Sequence, residues 1–110
     1  MTFLQPSSLA EALEARAAHP DAVVVAGGTD VFVDVNFGRL HPDAMLDVGR
    51  VDDLAGVEYH NGTVRLGAGM TYAQMIDRLG VDAPALVVAS RTVGSPPIRN
   101  RGTIGGNLGS

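Results

Sequence analysis

Ala22-Val23-Val24-Val25-Ala26 runs straight into Gly27-Gly28, and Thr29-Asp30 follows at once. No other stretch constrains the chain as much. An unbroken apolar run of this length suits a strand buried on both faces, as in parallel sheets. The two glycines supply a turn, because glycine tolerates backbone conformations that a Cβ disfavours. Thr29-Asp30 is placed to cap a short helix over Val31–Val35. The chain closes on RGTIGGNLGS, Arg101 to Ser110, where Gly105-Gly106 again stands beside a threonine and a short polar side chain.

The remaining pattern places these two turns in a mixed α/β chain. Met1–Pro6 reads as an extended arm. Ser8 with Glu11 has the form of a capping box. It opens a helix over Ser8–Ala18 that presents Leu9, Ala12, Leu13 and Ala17 on one face and stops before Pro20. Asn36–Pro42 reads as a loop and Ala44–Val48 as a second strand. Gly56–Gly69 reads as a hairpin turning at Asn61-Gly62, the dipeptide that best accepts two successive positive φ values. Thr71 with Gln74 is a second capping box, opening a helix to Leu79. Pro84–Thr92 reads as a helix burying Leu86, Val87 and Ala89. Gly94–Arg101 and Thr103–Leu108 read as a proline-containing loop and a turn-rich segment. Residues 1–55 thus form one αβ lobe, and residues 56–110 begin a second that is expected to be incomplete.

Composition narrows the chemistry. The 110 residues carry a net charge of −4, with eight arginines and no lysine. A mildly acidic chain is a poor partner for nucleic acid or anionic membranes. Without lysine there is neither Schiff-base chemistry nor a P-loop lysine. Without cysteine the chain holds no disulfide and no iron–sulfur cluster of its own. His19, His41 and His60 lie far apart, and Asp30, Asp34, Asp43 and Asp47 match no calcium loop, so solvated or capping roles suit them better than metal ligation. No apolar run is long enough to span a membrane, and the N-terminus lacks the form of a signal peptide, so a cytoplasmic location is the default. No nucleophile–base pair is legible, and no catalytic side chain is assigned.

Alone, a Gly-Gly after a strand is most often a tight turn and nothing more. Two of them, each beside Thr and Asp or Asn, suit a phosphate site. Glycines let backbone N–H groups converge on an oxygen, a helix start adds further free amides, and the Thr29 and Thr103 hydroxyls can donate as well. Neither turn has Rossmann or Walker spacing. Arg99 and Arg101 suit a phosphate grip, loop anchoring or contact with a partner subunit.

Taken together, PSSLAEAL, VVVAGGTDVFVDVNFGRLHPDAMLDVGRV, VRLGAGMTYAQM and VGSPPIRNRGTIGGNLGS resemble, in order, the N-terminal part of the FAD-binding medium subunit of the molybdenum hydroxylases. That family includes xanthine dehydrogenase and carbon monoxide dehydrogenase. The resemblance implies an α/β fold in two lobes with FAD between them. It implies a first pyrophosphate loop at Val24, Val25, Ala26, Gly27, Gly28, Thr29, Asp30 and Val31. It implies a second loop at Gly102, Thr103, Gly106, Asn107 and Ser110, with Val93 near the adenine or flavin wall. In the family this second motif leads into further segments that enclose the flavin ring, and none of them lies in these 110 residues. The implied partners are a molybdenum-cofactor large subunit and an iron–sulfur small subunit. The implied role is to pass electrons from the clusters through FAD to NAD, a quinone or oxygen. A noncatalytic module binding a nucleotide or a partner subunit is the alternative.

Overall fold

β-Branched residues pack well on a pleated surface, and Val23–Val25 forms a strand, here β2. In this computed structural model, which describes residues 1–109, β2 pairs in parallel with β3 (Ala44–Asp47), Val24 lying opposite Leu46. On its other side β3 pairs in parallel with β1 (Thr2–Leu4), giving the order β1-β3-β2. The expected N-terminal arm is therefore an edge strand, recruited by a partner some forty residues away. Parallel neighbours need crossovers, supplied by α1 (Leu9–Ala18) between β1 and β2 and by α2 (Val31–Asn36) between β2 and β3.

Burial corrects two expectations for this layer. The central strand β3 is the deeply buried one, with Met45 at 1% and Leu46 at 3% exposure, whereas β2 buries Val25 and leaves Val24 49% exposed. Of the apolar face expected on α1, Ala12 is buried and Leu13 is 62% exposed. Ser8 caps α1 by accepting from the Glu11 amide at 3.1 Å. The Glu11 carboxylate turns to the amide and hydroxyl of Ser7 instead of completing the box on Ser8. Asp30 stands at the start of α2 in a helical conformation and makes no side-chain cap. Asp34 pairs with Arg39 at 3.0 Å, and Asp47 accepts from the Gly49 amide at 2.9 Å.

A 3-10 turn at Asp52–Leu54 leads into the second layer. Antiparallel β4 (Val57–His60) and β5 (Thr63–Leu66) meet at Asn61-Gly62, whose φ values of 48° and 81° are those the dipeptide promises. Val57, Val64 and Leu66 pack on a core of Met70, Tyr72, Met75, Leu79 and Val87. The Tyr59 hydroxyl donates to Asp82 at 3.0 Å, tying the hairpin to the turn before α4 (Pro84–Arg91). That bond, with lesser burial and charge effects, raises the phenol above its usual value of 10.0. Helix α3 (Tyr72–Arg78) starts with both bonds of its capping box: Gln74 N to Thr71 Oγ1 at 3.2 Å, and Thr71 N to Gln74 Oε1 at 3.0 Å. Along α4 the inward face runs through Leu86, Val87 and Ser90, leaving Ala89 exposed; the Ser90 hydroxyl donates to the Leu86 carbonyl at 2.7 Å.

Two segments expected to be irregular are helical. Pro96 and Pro97 occupy the first positions of α5 (Pro96–Arg101), where a missing N–H costs nothing and a fixed φ favours the helix. The Arg99 guanidinium donates to the carbonyls of Arg91, Val93 and Gly94 at 3.1, 3.3 and 3.3 Å, which binds α5 to the end of α4. Ile104–Gly109 forms α6 despite its glycines. Tertiary bonds override propensity there: Ile104 N donates to Met70 O at 3.0 Å and Gly105 N to Ala68 O at 2.9 Å.

Thr71→Ala removes one bond of an intact box at the entry to the main core helix. A loss of about 1 kcal/mol in unfolding free energy is expected, measured by urea denaturation followed by far-UV circular dichroism.

Candidate functional site

The first Gly-Gly turn leaves the C-terminal end of β2, and the second lies in the first turn of α6. They meet where α5 ends. The Nε–H of Arg101 donates to the Gly27 carbonyl at 3.1 Å, across 74 positions of sequence. Tyr72 N donates to Gly102 O at 3.1 Å, which fixes the strand-like link between α5 and α6 against the start of α3. Between these segments opens a cleft of about 660 Å³, within the common range for small-molecule sites.

Both turns line this cleft. From the first loop Val24, Ala26, Gly27, Gly28, Thr29, Asp30 and Val31 face it. From the second, Gly102, Thr103, Gly106 and Asn107 face it, and Val93 stands on its wall. Val25 does not: it is 2% exposed, in the core of the first layer. Ser110 lies outside the described residues.

The two turns differ in what they offer. Among the described residues, the amides of Gly27, Gly28, Thr29 and Asp30 donate to no protein acceptor. These are donors an anion can take, in keeping with the reading of the first loop. The second turn is already spent. Gly102 N donates to Ile98 O, Ile104 N to Met70 O, Gly105 N to Ala68 O, and Asn107 N to Thr103 O, so that among the described residues from Gly102 to Asn107 the Thr103 amide alone donates to no protein acceptor. Gly106 N donates to Thr103 Oγ1 at 3.0 Å, so the threonine oxygen caps α6 with one lone pair while its proton stays available to donate. The Gly105 and Gly106 amides expected to face a ligand are thus taken by protein acceptors, and this turn contributes mainly a wall to the cleft.

The glycines follow the same division. Gly28 has φ of 76°, in the left-handed region that glycine favours. A Cβ on Gly27 would overlap the Arg101 carbonyl, and one on Gly105 would stand 2.7 Å from the Ala68 Cβ. Both positions are glycine because backbone passes close beside them. Arg99 and Arg101 donate to loop carbonyls, as the anchoring reading expects.

The family described as the FAD binding domain in molybdopterin dehydrogenase matches residues 1–110. The chain belongs to that family. It is 34% identical to the nicotinate dehydrogenase FAD-subunit of Eubacterium barkeri, over 96% of this chain and 37% of that protein. It is 30% identical to the xanthine dehydrogenase FAD-binding subunit of Escherichia coli O157:H7, over 97% of this chain and 38% of that one. Its fold superposes with a TM-score of 0.91 on carbon monoxide dehydrogenase from Hydrogenophaga pseudoflava at 30% identity, covering 98% of this chain and 39% of that one. The chain thus spans well under half the length of these relatives.

FAD, the cofactor of this domain family, asks for donors to its diphosphate and apolar walls for its rings. The free amides of the first loop meet the first need. Val24, Val93, Tyr72, Ile98 and Leu54 meet the second. Tyr72, Ile98 and Leu54 were not singled out from sequence, nor were Ala68 and Gly69, which floor the cleft. Ile98 reads in sequence as part of a loop, and a tyrosine such as Tyr72 is more often a surface or core residue than a functional one. No helix among the described residues is long and apolar enough to cross a membrane.

Because backbone passes beside Gly27, Gly27→Ala is expected to destabilise the fold by about 2 kcal/mol through overpacking. Gly80→Ala, with open space around it, should change stability by less than about 0.5 kcal/mol. Melting curves of the two variants side by side check the contrast.

Proposed function

We propose that this chain binds FAD in the 660 Å³ cleft, with the diphosphate on the first loop, as part of a molybdenum hydroxylase-type oxidoreductase. One observation carries the reading: two Gly-Gly turns remote in sequence line a single cleft, and the first offers a run of four amides that donate to no protein acceptor among the described residues. The lobes divide at residues 55 and 56, where Gly56 takes a φ of 97°.

In this reading each residue binds or orients, and none need exchange a proton. The amides of Gly27 to Asp30 take the diphosphate oxygens. The Thr103 hydroxyl proton and the Asn107 side chain add polar contacts from the facing wall. Val24, Val93 and Ile98 exclude water from the apolar part of the ligand. When bound, FAD supplies the redox chemistry. The relatives' names, FAD-subunit and FAD-binding subunit, support a role inside a larger oxidoreductase. There the partners are a molybdenum-cofactor subunit and an iron–sulfur subunit, and electrons pass from the clusters to FAD and on to NAD, a quinone or oxygen.

Purified with FAD, the chain is expected to absorb in the blue after gel filtration; a colourless protein that ignores added FAD would leave the noncatalytic alternative. Gly28→Val forces a β-branched residue into positive φ and against the Phe32 ring. It is expected to weaken FAD binding by on the order of tenfold or more while the fold survives. Fluorescence titration with FAD, with circular dichroism as the fold check, measures both.

A further inference from the structure

The Gly27–Gly28 peptide carries a hazard that its neighbours do not. Glycine on both sides lets the peptide plane turn over at little conformational cost. Turned over, it would aim the Gly27 carbonyl where the Gly28 amide had been, and a carbonyl oxygen repels an anion. The turn would also carry Gly28 out of positive φ, so the flipped form has no intrinsic penalty of its own. Whether the first loop attracts or repels phosphate therefore depends on what holds this one plane.

Arg101 holds it. Its Nε–H donates to Gly27 O at 3.1 Å. Arg101 does not line the FAD cleft. It lines a second cleft of about 460 Å³, together with Arg50 and Asn100. Ala26, Gly27, Val48, Gly69 and Thr103 line both clefts and so form the partition between them. Gly28 lines only the first. In a planar trans peptide the C=O and the following N–H point in opposite directions. A carbonyl held toward the second cleft leaves the Gly28 N–H facing the first.

We propose that Arg101 is a positioning residue that locks the Gly27–Gly28 peptide with its N–H toward the FAD cleft, acting from the opposite side of the partition without touching the ligand. The inference rests on the FAD reading for its ligand but not for its geometry. It separates two roles an arginine can play near a phosphate. A lock needs a donor at the Nε position. An electrostatic attractor needs only charge.

Two variants distinguish them. Arg101→Gln places an amide nitrogen at the same number of bonds from the backbone as Nε and removes the charge. Arg101→Met keeps the length and removes both. FAD titration of the whole chain should show R101M weaker by about tenfold, the scale of one lost hydrogen bond with its misplaced partner, and R101Q within about threefold of the parent. The residual dipolar coupling of the Gly28 N–H should change in R101M and persist in R101Q. Equal weakening in both variants would assign the effect to charge and overturn the lock. So would an unchanged Gly28 coupling in R101M. If the parent chain binds no FAD, the functional reading fails by itself, and the dipolar couplings alone decide whether Arg101 holds the plane.

Discussion

The backbone of Gly27 lies directly against the backbone at the end of α5, and the site depends on this crossing. A side chain at position 27 would occupy the Arg101 carbonyl. With the crossing in place, the C-terminal end of β2 faces the start of α6, and a groove between the two layers follows from geometry. The parallel sheet aims its strand end at that groove, in line with the tendency of α/β sheets to bind ligands beyond the carboxyl ends of their strands. The hairpin layer closes it through three backbone bonds that run between residues 68–72 and residues 102–105.

Two turns of the same composition thus do different work. One is left open by its surroundings and keeps its donors. The other is consumed by the helix it starts and by the strand-like segment beside it. Composition does not distinguish them, since each has Gly-Gly, a threonine and a short polar residue. The difference lies in what packs behind each turn: Ala68 and Met70 offer carbonyls to the second, and among the described residues no protein acceptor takes the amides of the first.

Much of this was legible before any coordinates. The Asn61-Gly62 hairpin, both N-terminal caps, β2, β3 and α2 follow from local chemistry, and most residues implied for the two loops do line one cleft. The failures share a cause, which is dependence on distant partners. Thr2–Leu4 is a strand only because β3 lies beside it. Pro96-Pro97 reads as a break until the helix behind it is seen. Ile104–Gly109 is helical because Met70 and Ala68 accept its first amides. Val25 was grouped with the loop because a consecutive motif does not show which of its residues packs inward, and the structure buries it in the core. Gly27 does line the cleft, but its lack of a side chain answers to the Arg101 backbone beside it, which no local pattern reveals.

The floor and donors of the cleft are largely main chain, and this bears on how such a site is inherited. A pocket built from functional side chains is lost when those side chains change. A pocket built from peptide groups persists as long as the chain can still follow the same path. Its heredity resides in the places where a Cβ would collide, and elsewhere the sequence is free to drift. That latitude suits a fold which superposes at a TM-score of 0.91 on a relative sharing 30% of its residues.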